Sequence, residues 1–532
     1  MRFLLLVLLI VLASVGIACG GGQGFGPSAP ANEPQPTQPP SSTLPPTPTP
    51  PMPSTGSPEA GETEAPDEGG LSQDEIEALM YRLINGRREF SDTSGQLIVL
   101  GVIEASEDLS FVPVLAELIQ VPLTREELAF NDSVVIPVLE KITGQTFGYD
   151  GKAWVEWLVG QPDIVPPDAY LKWKVDLLSQ VDSRFRDYFV DKETDQLYPR
   201  EKFRLELPLV VWGGVLQDDG SGLSIPALVN SPMIAAAEAA YLKDDDRVFG
   251  VSINGDSRAY PLMIMNWHEL ANDVVGGVPV ALAYCTLCGS GILFDSSVDG
   301  TTYTFRTSGL LYKSNKLMYD LDTKTLWNQF TGEPAIGELA DSGITLKALP
   351  ITLTTWGDWL ASHPETNVLN INTGFLRNYV SEGSQGAAYN DYFSDPELWF
   401  PLSDHDDRLW PKTVVFGLAI DGDARAYPTE RMKLAPVVNE IIGVTGVVLI
   451  TNPTTGAVRA YERKGLRFLE VVGGEGEELL RDDAGGEWRI EEAAIVSTGG
   501  SGLRLDRIAG RTAFWFAWRS FHPETLIYGE EG

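Results

Sequence analysis

Three residues in this sequence have types and a spacing that could bind a soft metal or carry out redox chemistry. Cys285 and Cys288 form a Cys-x-x-Cys pair between two apolar runs, in ALAYCTLCGSGILFD, and His268 lies 17 residues before Cys285. Thiolates select soft metals and imidazole binds both copper and zinc. We therefore predict a copper or zinc site whose ligands are Cys285, Cys288 and His268.

A closed zinc site needs a fourth ligand, and the sequence offers several without selecting one. The candidates for that position are Glu269, Met263 and His405. The segment SGLLYKSNKLMYDLDTKTLWNQ could line the same pocket, or it could be a β-hairpin with a solvated edge. The side chains that could line the pocket are Lys313, Asn315, Asp320 and Trp327. Three protein ligands alone would leave an open position for substrate or water.

The same two cysteines allow two other interpretations. In a thiol–disulfide or other redox enzyme, His268 would lower the pKa of one thiol, but such pairs usually begin a helix, and a strand is predicted after Cys288. Outside the cytosol, Cys285 and Cys288 could instead form a structural disulfide in a non-catalytic cell-surface scaffold. His268 would then be a core histidine with satisfied hydrogen bonds.

The predicted elements around the motif explain how the three residues could meet. His268 lies on a predicted helix that opens at Pro261 and closes at Gly276 and Gly277. The connection from this helix to the strand before Cys285 can fold the helix back beside that strand. We therefore expect a ring nitrogen of His268 to approach the sulfurs to roughly 3–4 Å. A hairpin that turns at Asp299-Gly300 is predicted next.

One pattern occurs twice in the C-terminal region. VFGVSINGDSRAYP (248–261) and VFGLAIDGDARAYP (415–428) share 10 of 14 residues, at an offset of 167. We predict two related α+β repeats, β-rich with few helices, over residues 224–395 and 396–532.

Comparison of the two predicted repeats separates architecture from chemistry. At the offset of 167, His268, Cys285 and Cys288 become Ala435, Asn452 and Thr455. The joint loss indicates that the three act as one site, in the first repeat only. The HPET motif recurs in both copies, so its histidines, His363 and His522, are predicted to be structural.

Residues 1–18 are typical of an export signal. After Met1 and Arg2, residues 3–18 carry no charge, and this run is shorter than the about 20 apolar residues of a spanning helix. The Ala18-Cys19 end resembles a bacterial lipoprotein signal, which implies cleavage before Cys19 and a lipid on its thiol. Ordinary cleavage near Ala18 is the alternative. We expect an exported protein, lipid-anchored on the outer face of the cell membrane or periplasmic.

The segments between the signal and the repeats differ in composition. Residues 19–70 are rich in Pro, Thr and Ser, which predicts a disordered stalk. Residues 71–165 predict an all-α region that loosely resembles stacked HEAT-type repeats and could offer a surface to a partner protein. Residues 166–223 are predicted to be a helical bridge.

Length and charge limit the classes of function. A chain of 532 residues with 43% hydrophobic residues is too long for one core, so two to four domains are expected. The formal net charge of −35 argues against a nucleic-acid partner, which needs a basic surface.

The motifs of residues 225–528 resemble those of a bacterial family, the domain of unknown function 3179. The likeness rests on DDRVFGVSINGDSRAYPL, NWHELANDVVGG, YCTLCGSGILFD, HPET and DDRLWPKTVVFGL. The resemblance implies that the family's His-Glu pair corresponds to His268 and Glu269, and its cysteines to Cys285 and Cys288. The family has no established reaction, so the resemblance implies a shared unit without an activity.

Overall fold

A computed structural model describes residues 71–85, 93–121, 125–474 and 477–530. The predicted signal peptide, Cys19 and the stalk lie outside these residues. Within the described ranges, no helix is both long enough and apolar enough to span a membrane.

The first described part of the chain is a group of short helices around one core. These helices are α1 Gln73–Asn85, α2 Thr93–Ser106, α3 Val112–Gln120, α4 Arg125–Phe130, α5 Ile136–Thr143, α6 Gly151–Val159 and α7 Tyr170–Val181. Helices α3 and α5 carry proline in their first turn, where a missing N–H costs nothing. The apolar segments VPVLAELIQ and IPVLEKIT can therefore each contain a proline and still form a helix. Beyond α7 the predicted bridge consists of 3₁₀ turns and a first strand.

From Val210 onwards the chain is rich in strands, and the strand-rich character predicted for the region after residue 224 is confirmed. The strands of the first half are β1 Val210–Trp212, β2 Leu228–Val229, β3 Met233–Ala235, β4 Arg247–Ile253, β5 Asp256–Pro261, β6 Leu270–Val275, β7 Val278–Cys285, β8 Ser290–Asp295, β9 Ser297–Val298, β10 Thr301–Thr302, β11 Phe305–Tyr312, β12 Asn315–Asp320, β13 Leu326–Asn328, β14 Glu333–Ile336, β15 Lys347–Leu349, β16 Thr352–Thr355 and β17 Asn367–Leu369. Its short helices are α8 Leu262–His268, α9 Trp356–Ser362 and α10 Asn390–Ser394.

The second half is also built mainly of strands, and its described residues include two short helices. Its strands are β18 Val414–Ile420, β19 Asp423–Pro428, β20 Val437–Ile442, β21 Thr445–Thr451, β22 Val458–Glu462, β23 Phe468–Gly474, β24 Glu477–Asp482, β25 Glu487–Ile490, β26 Ala494–Ser497, β27 Arg504–Ile508, β28 Arg511–Phe514 and β29 Leu526–Ile527. Its helices are α11 Thr429–Met432 and α12 Trp515–Phe521.

One large sheet joins the two halves. Its order is β2-β6-β7-β8-β28-β18-β19-β29, with β15 also on β8, and the contact between halves is Thr512 of β28 against Gly291 of β8. The other large sheets have the orders β1-β11-β12-β13-β14, β16-β4-β5-β17-β3 and β20-β21-β22-β27-β26-β25-β24-β23. Strands β9 and β10 form the predicted hairpin, and Asp299 and Gly300 have positive φ at its turn.

The prediction for the helix that carries His268 was right at its start and wrong at its end. Helix α8 follows Pro261 but ends at His268. Gly276 and Gly277 form instead the two-residue turn between β6 and β7, both with positive φ. Such a turn between β-branched residues favours a hairpin over a helix end.

The two halves share several local arrangements. Hairpins β4–β5 and β18–β19 pair in the same register, Val248 with Pro261 and Val415 with Pro428. In each, a tryptophan covers a glycine of the hairpin so closely that a Cβ would lie 2.2 Å from the ring. The pairs are Trp359 over Gly250 and Trp518 over Gly417. Glycine is therefore required for packing at both places.

Candidate functional site

Cys285 and Cys288 lie in a β-turn between strands β7 and β8. The Cys288 N–H donates to the Cys285 carbonyl at 3.1 Å, which closes the turn and brings the two side chains close together. Both cysteines are free thiols, and both are buried, with 2% and 0% of their surface exposed. A strand follows the pair, as predicted, so no helix N-terminus acts on the sulfurs.

The Cys288 thiol is held by a strained turn. Lys313 and Ser314 form the two-residue turn between β11 and β12, and both are non-glycine residues with positive φ. Such a conformation costs roughly 1–2 kcal/mol per residue. It places the Ser314 carbonyl where it accepts the Cys288 S–H at 3.2 Å. Burial raises the pKa of Cys288 well above the usual thiol value, with further contributions from a hydrogen bond with Cys285 and the charge of Glu269.

A buried ion pair lies beside Cys285. Lys316 Nζ is 3.4 Å from Glu269 Oε2 and 3.1 Å from the Glu269 carbonyl, and the two side chains are 2% and 7% exposed. Glu269 ends α8 with a φ of 56°, which turns its carbonyl and carboxylate toward the lysine. Burial lowers the pKa of Lys316, and the charges of Glu269 and Cys285 offset part of this. Lys316 can therefore stabilise negative charge on the Cys285 sulfur.

Buried polar side chains fix the strands behind the thiols. Gln329 donates to the carbonyls of Ala283 and Ser290 at 2.9 and 3.2 Å, which ties it to β7 and β8. Its Oε1 accepts from Asn315 and Ser290 at 3.0 and 3.2 Å. A fully bonded network of this kind rigidifies the framework of the site.

Two buried hydroxyls in the same turns have no partner. Thr286 Oγ1, inside the cysteine turn, and Ser314 Oγ, beside Cys288, are buried without a hydrogen bond. Unsatisfied buried polar groups carry a desolvation cost and are uncommon. They mark places where a bound polar molecule would find a donor or acceptor.

Residues 387–402, which we call the strap, cover the thiols. The Tyr392 hydroxyl donates to the carbonyl of Leu287, inside the cysteine turn, at 2.9 Å. The Tyr389 hydroxyl lies 3.4 Å from Glu269 Oε1. Burial raises the pKa of both tyrosines far above the usual value, so both remain neutral donors. Cys285 and Cys288 have almost no exposed surface, so a substrate can reach either sulfur only after segments packed around them move.

Lys412 fastens the strap. Its Nζ donates to the carbonyls of Tyr392, Asp395 and Glu397 at 2.5, 2.6 and 2.9 Å and lies 3.4 Å from the centre of the Tyr392 ring. The strap also contacts the helical region, because Glu156 of α6 accepts from the Leu402 N–H at 3.0 Å. The strap is therefore tied both to Lys412 and to the helical region.

We expect Lys412→Met to increase the rate at which a thiol reagent such as iodoacetamide labels Cys285 and Cys288, by about tenfold or more. The substitution removes three charge-assisted hydrogen bonds from the strap, each of about 1.5–3 kcal/mol. Mass spectrometry of the labelled chain over time measures the effect. Lys464→Met, at an exposed lysine, is the control and should label like the unchanged protein. Equal labelling rates in both variants would mean that the strap does not limit access.

His268 has partners other than the cysteines. Its Nδ1 lies 2.7 Å from the Pro226 carbonyl, which requires a proton on Nδ1, and its Nε2 then accepts from the Tyr379 hydroxyl at 2.5 Å. Tyr379 is bonded in turn to Thr373 at 2.6 Å. Burial lowers the pKa of His268 to about 4, so the ring is neutral at pH 7. Within the described ranges, no group of three or more His, Cys, Asp or Glu side chains is arranged to hold a metal ion.

The structure brings some of the predicted pocket residues to the thiols and places others elsewhere. Asn315 and Glu269 belong to the site. The other five are Lys313, whose Nζ is 3.9 Å from Glu206, Met263, which packs in a core cluster, His405, whose Nε2 is 3.2 Å from Glu156, and Asp320, which accepts at 3.0 Å from the fifth, Trp327. The Asp320–Trp327 contact recurs in the second half between Asp482 and Trp488, so it is architectural.

Lys316 and the strap tyrosines were not identified from the sequence. One signal could have revealed Lys316: it stands in the otherwise buried strand NKLMYD, where a lysine needs a buried partner. The β-ladders align Tyr284 with Thr451, and at the same offset Glu269 corresponds to Pro436. The ion pair is therefore lost from the second half together with the cysteines.

The fold and the site define a class of protein: a helical region joined to a strand-rich body with a buried dithiol beside a lysine–glutamate pair. The chain belongs to a family of proteins of unknown function (DUF3179), whose family model matches residues 223–525, more than half of the chain. The match confirms the resemblance noted in the motifs and includes both cysteines. Neither curated proteins nor solved structures provide a significant match.

Proposed function

We propose that this protein is an extracytoplasmic thiol–disulfide redox protein that acts through Cys285 and Cys288. The observation that carries the proposal is the asymmetry between two adjacent free thiols. Lys316 lies beside Cys285, whereas Cys288 is kept protonated and donates to the Ser314 carbonyl. Thiol exchange needs this division, because one sulfur must attack as a thiolate and the other must wait as a thiol.

The substrate class is a disulfide in a protein or small molecule. Cys285 attacks one sulfur of the substrate as a thiolate, a mixed disulfide forms, and the first substrate thiolate leaves and takes up a proton from water. Cys288 then loses its proton to the nearby Glu269 carboxylate and attacks the Cys285 sulfur, which releases the second substrate thiolate, and this thiolate also takes up a proton. The net change is oxidation of the dithiol to a disulfide and reduction of the substrate to two thiols.

A copper or zinc ion is the second candidate, favoured by two free thiols in one turn. His268 could serve as a ligand only by giving up the Tyr379 hydroxyl or the Pro226 carbonyl. Glu269, whose charge acts on Cys288, is an alternative ligand. Zinc or copper titration of the reduced protein distinguishes this candidate, since a redox protein needs no stoichiometric metal.

The proposal includes the cellular setting. A lipid on Cys19 and the stalk would hold the body outside the membrane, in an oxidising compartment where a disulfide is maintained. Helices of residues 71–165, whose HEAT-like stacking stays a prediction, would offer the surface for a protein partner. The shared hairpin register and the shared tryptophan–glycine packing support an origin of the two halves as repeats of one α+β unit, with the chemistry kept in the first.

We expect Cys288→Ser to trap a mixed disulfide with an oxidised substrate, and Cys285→Ser to trap none. Without Cys288, the first intermediate cannot be resolved, whereas without Cys285 the attacking sulfur is missing. The full chain is incubated with oxidised insulin and the adducts are read by non-reducing electrophoresis and mass spectrometry. Ser290→Ala, behind the same turn, is the control that keeps both sulfurs. Absence of any adduct and of insulin reduction, together with one bound zinc or copper per chain, would favour the metal candidate. Altered stability alone would favour a scaffold.

A further inference from the structure

Arg511 and His522 lie near each other in the second half, close enough for the charge of Arg511 to act on His522. Arg511 begins β28, and His522 follows α12. The Nε of Arg511 and the Nε2 of His522 are both buried without a hydrogen-bond partner. In the described part of the chain Arg511 forms no salt bridge, and Glu333 is the acid whose charge acts on it. A guanidinium in a largely buried position normally has a carboxylate partner.

The position of the first half that corresponds to Arg511 has a carboxylate beside it. Thr352 of β16 pairs with Gly250 of β4, and Arg511 of β28 pairs with Gly417 of β18. Because Gly250 and Gly417 are equivalent in the two halves, Thr352 and Arg511 are equivalent too. The carboxylate of Glu492 lies next to Thr352. It accepts hydrogen bonds from Thr352 Oγ1 at 3.0 Å and from Arg459 Nε at 2.6 Å. The charge of Glu492 also acts on His363, the equivalent of His522.

Beside Arg511 and His522, an aromatic residue, Phe330, lies where the first half has that carboxylate. Glu492 lies in the loop between β25 and β26, and Phe330 lies in the loop between β13 and β14. The Phe330 ring is 5.7 Å from the Arg511 guanidinium and 6.1 Å from the His522 ring. It stacks on Phe521 with ring centres 4.6 Å apart. This cluster therefore combines a cation, an imidazole and an aromatic ring, and among the described residues no carboxylate forms a salt bridge with the cation.

We propose that Arg511, His522 and Phe330 form a binding site for a carboxylate attached to an apolar or aromatic group. The guanidinium binds the carboxylate oxygens, as Arg459 binds Glu492 beside Thr352. His522 donates a further hydrogen bond from Nε2, and the Phe330–Phe521 stack covers the apolar part of the ligand. The site makes no use of the cysteines, so it stands independently of the redox proposal.

The test uses the full chain and 3-phenylpropionate as the probe, with the uncharged 3-phenylpropionamide as its matched control. We expect saturable binding of one carboxylate per chain by calorimetry and no binding of the amide. Arg511→Leu should weaken binding of the carboxylate at least tenfold. Arg504→Leu, at an exposed arginine of β27, should bind as the unchanged protein does.

A second measurement avoids dependence on the variants. The sequence has four histidines, so nuclear magnetic resonance of histidine-labelled protein can follow His522 directly. Burial and the charge of Arg511 lower the pKa of His522 to about 4. A bound carboxylate should raise that pKa and shift the His522 signal, while His405 stays unchanged. Equal binding of acid and amide, equal binding by Arg511→Leu, or an unresponsive His522 signal would each overturn the proposal.

Discussion

Lys316→Met is expected to lower the free energy of unfolding by about 3–5 kcal/mol, because breaking a buried ion pair leaves one charge without its partner. Lys316 and Glu269 are 2% and 7% exposed, so water cannot replace the lost contact. Methionine keeps the length and the apolar stem of lysine, so packing changes little. Urea denaturation at pH 7 measures the loss.

Two controls separate the charge effect from a general disturbance. The double variant Lys316→Met with Glu269→Gln removes both charges and should recover most of the lost stability. Lys141→Met breaks an ion pair with Glu104 whose side chains are 59% and 36% exposed, and should cost less than about 1 kcal/mol. A loss of the same size in the single and double variants would mean that the carboxylate is not the cause.

The same substitution should also reduce the redox activity. Without Lys316, no buried cation lies beside the attacking Cys285 sulfur to stabilise its negative charge, so Cys285 should attack at least about tenfold more slowly at pH 7. The rate of adduct formation by Lys316→Met in the Cys288→Ser background measures this. A rate equal to that of Cys288→Ser alone would show that Lys316 does not assist the attack.

The strand-rich character of the C-terminal region could be predicted because its signals are local. Alternating apolar residues and two-residue glycine turns specify hairpins within a few residues, as at Asp299 and Gly300. The end of α8 could not be predicted in the same way. The chain leaves the helix at Glu269 through a positive φ that no glycine signals, and the lysine that stabilises this arrangement lies 47 residues later.

The candidate site could be predicted in part, because the joint loss of residues between the two halves is visible in the sequence. This comparison identified Cys285 and Cys288, which the structure places in one buried turn. It could not say which other residues surround them. Lys316 and Tyr389 reach the site from distant segments, and only folding brings them there. The second half also lacks a counterpart of His268, but the hydrogen-bond partners of the His268 ring are Pro226 and Tyr379 and not the cysteines.

Protonation of His268 alone is expected to make the protein about 3 kcal/mol less stable at pH 4 than at pH 7. Burial lowers its pKa to about 4 in the folded chain, against 6.5 for an unperturbed histidine. Each pKa unit of difference corresponds to about 1.4 kcal/mol. Because the folded state binds the proton more weakly than the unfolded state, stability is complete above pH 6.5 and is lost as the pH falls toward 4.

Urea denaturation of the unchanged protein and of His268→Gln, at pH values from 4 to 7, isolates this contribution. The other acidic and basic groups occur in both proteins, so their effects cancel in the difference between the two curves. We expect that difference to narrow by about 3 kcal/mol toward pH 4. His405→Gln is the control of opposite sign, since a hydrogen bond to Glu156 raises the pKa of His405, and its effect is small because the ring is half exposed. A difference that stays constant with pH would show that His268 takes up protons as freely in the folded chain as in the unfolded one. The buried Pro226–His268–Tyr379 chain of hydrogen bonds would then have to be open to water.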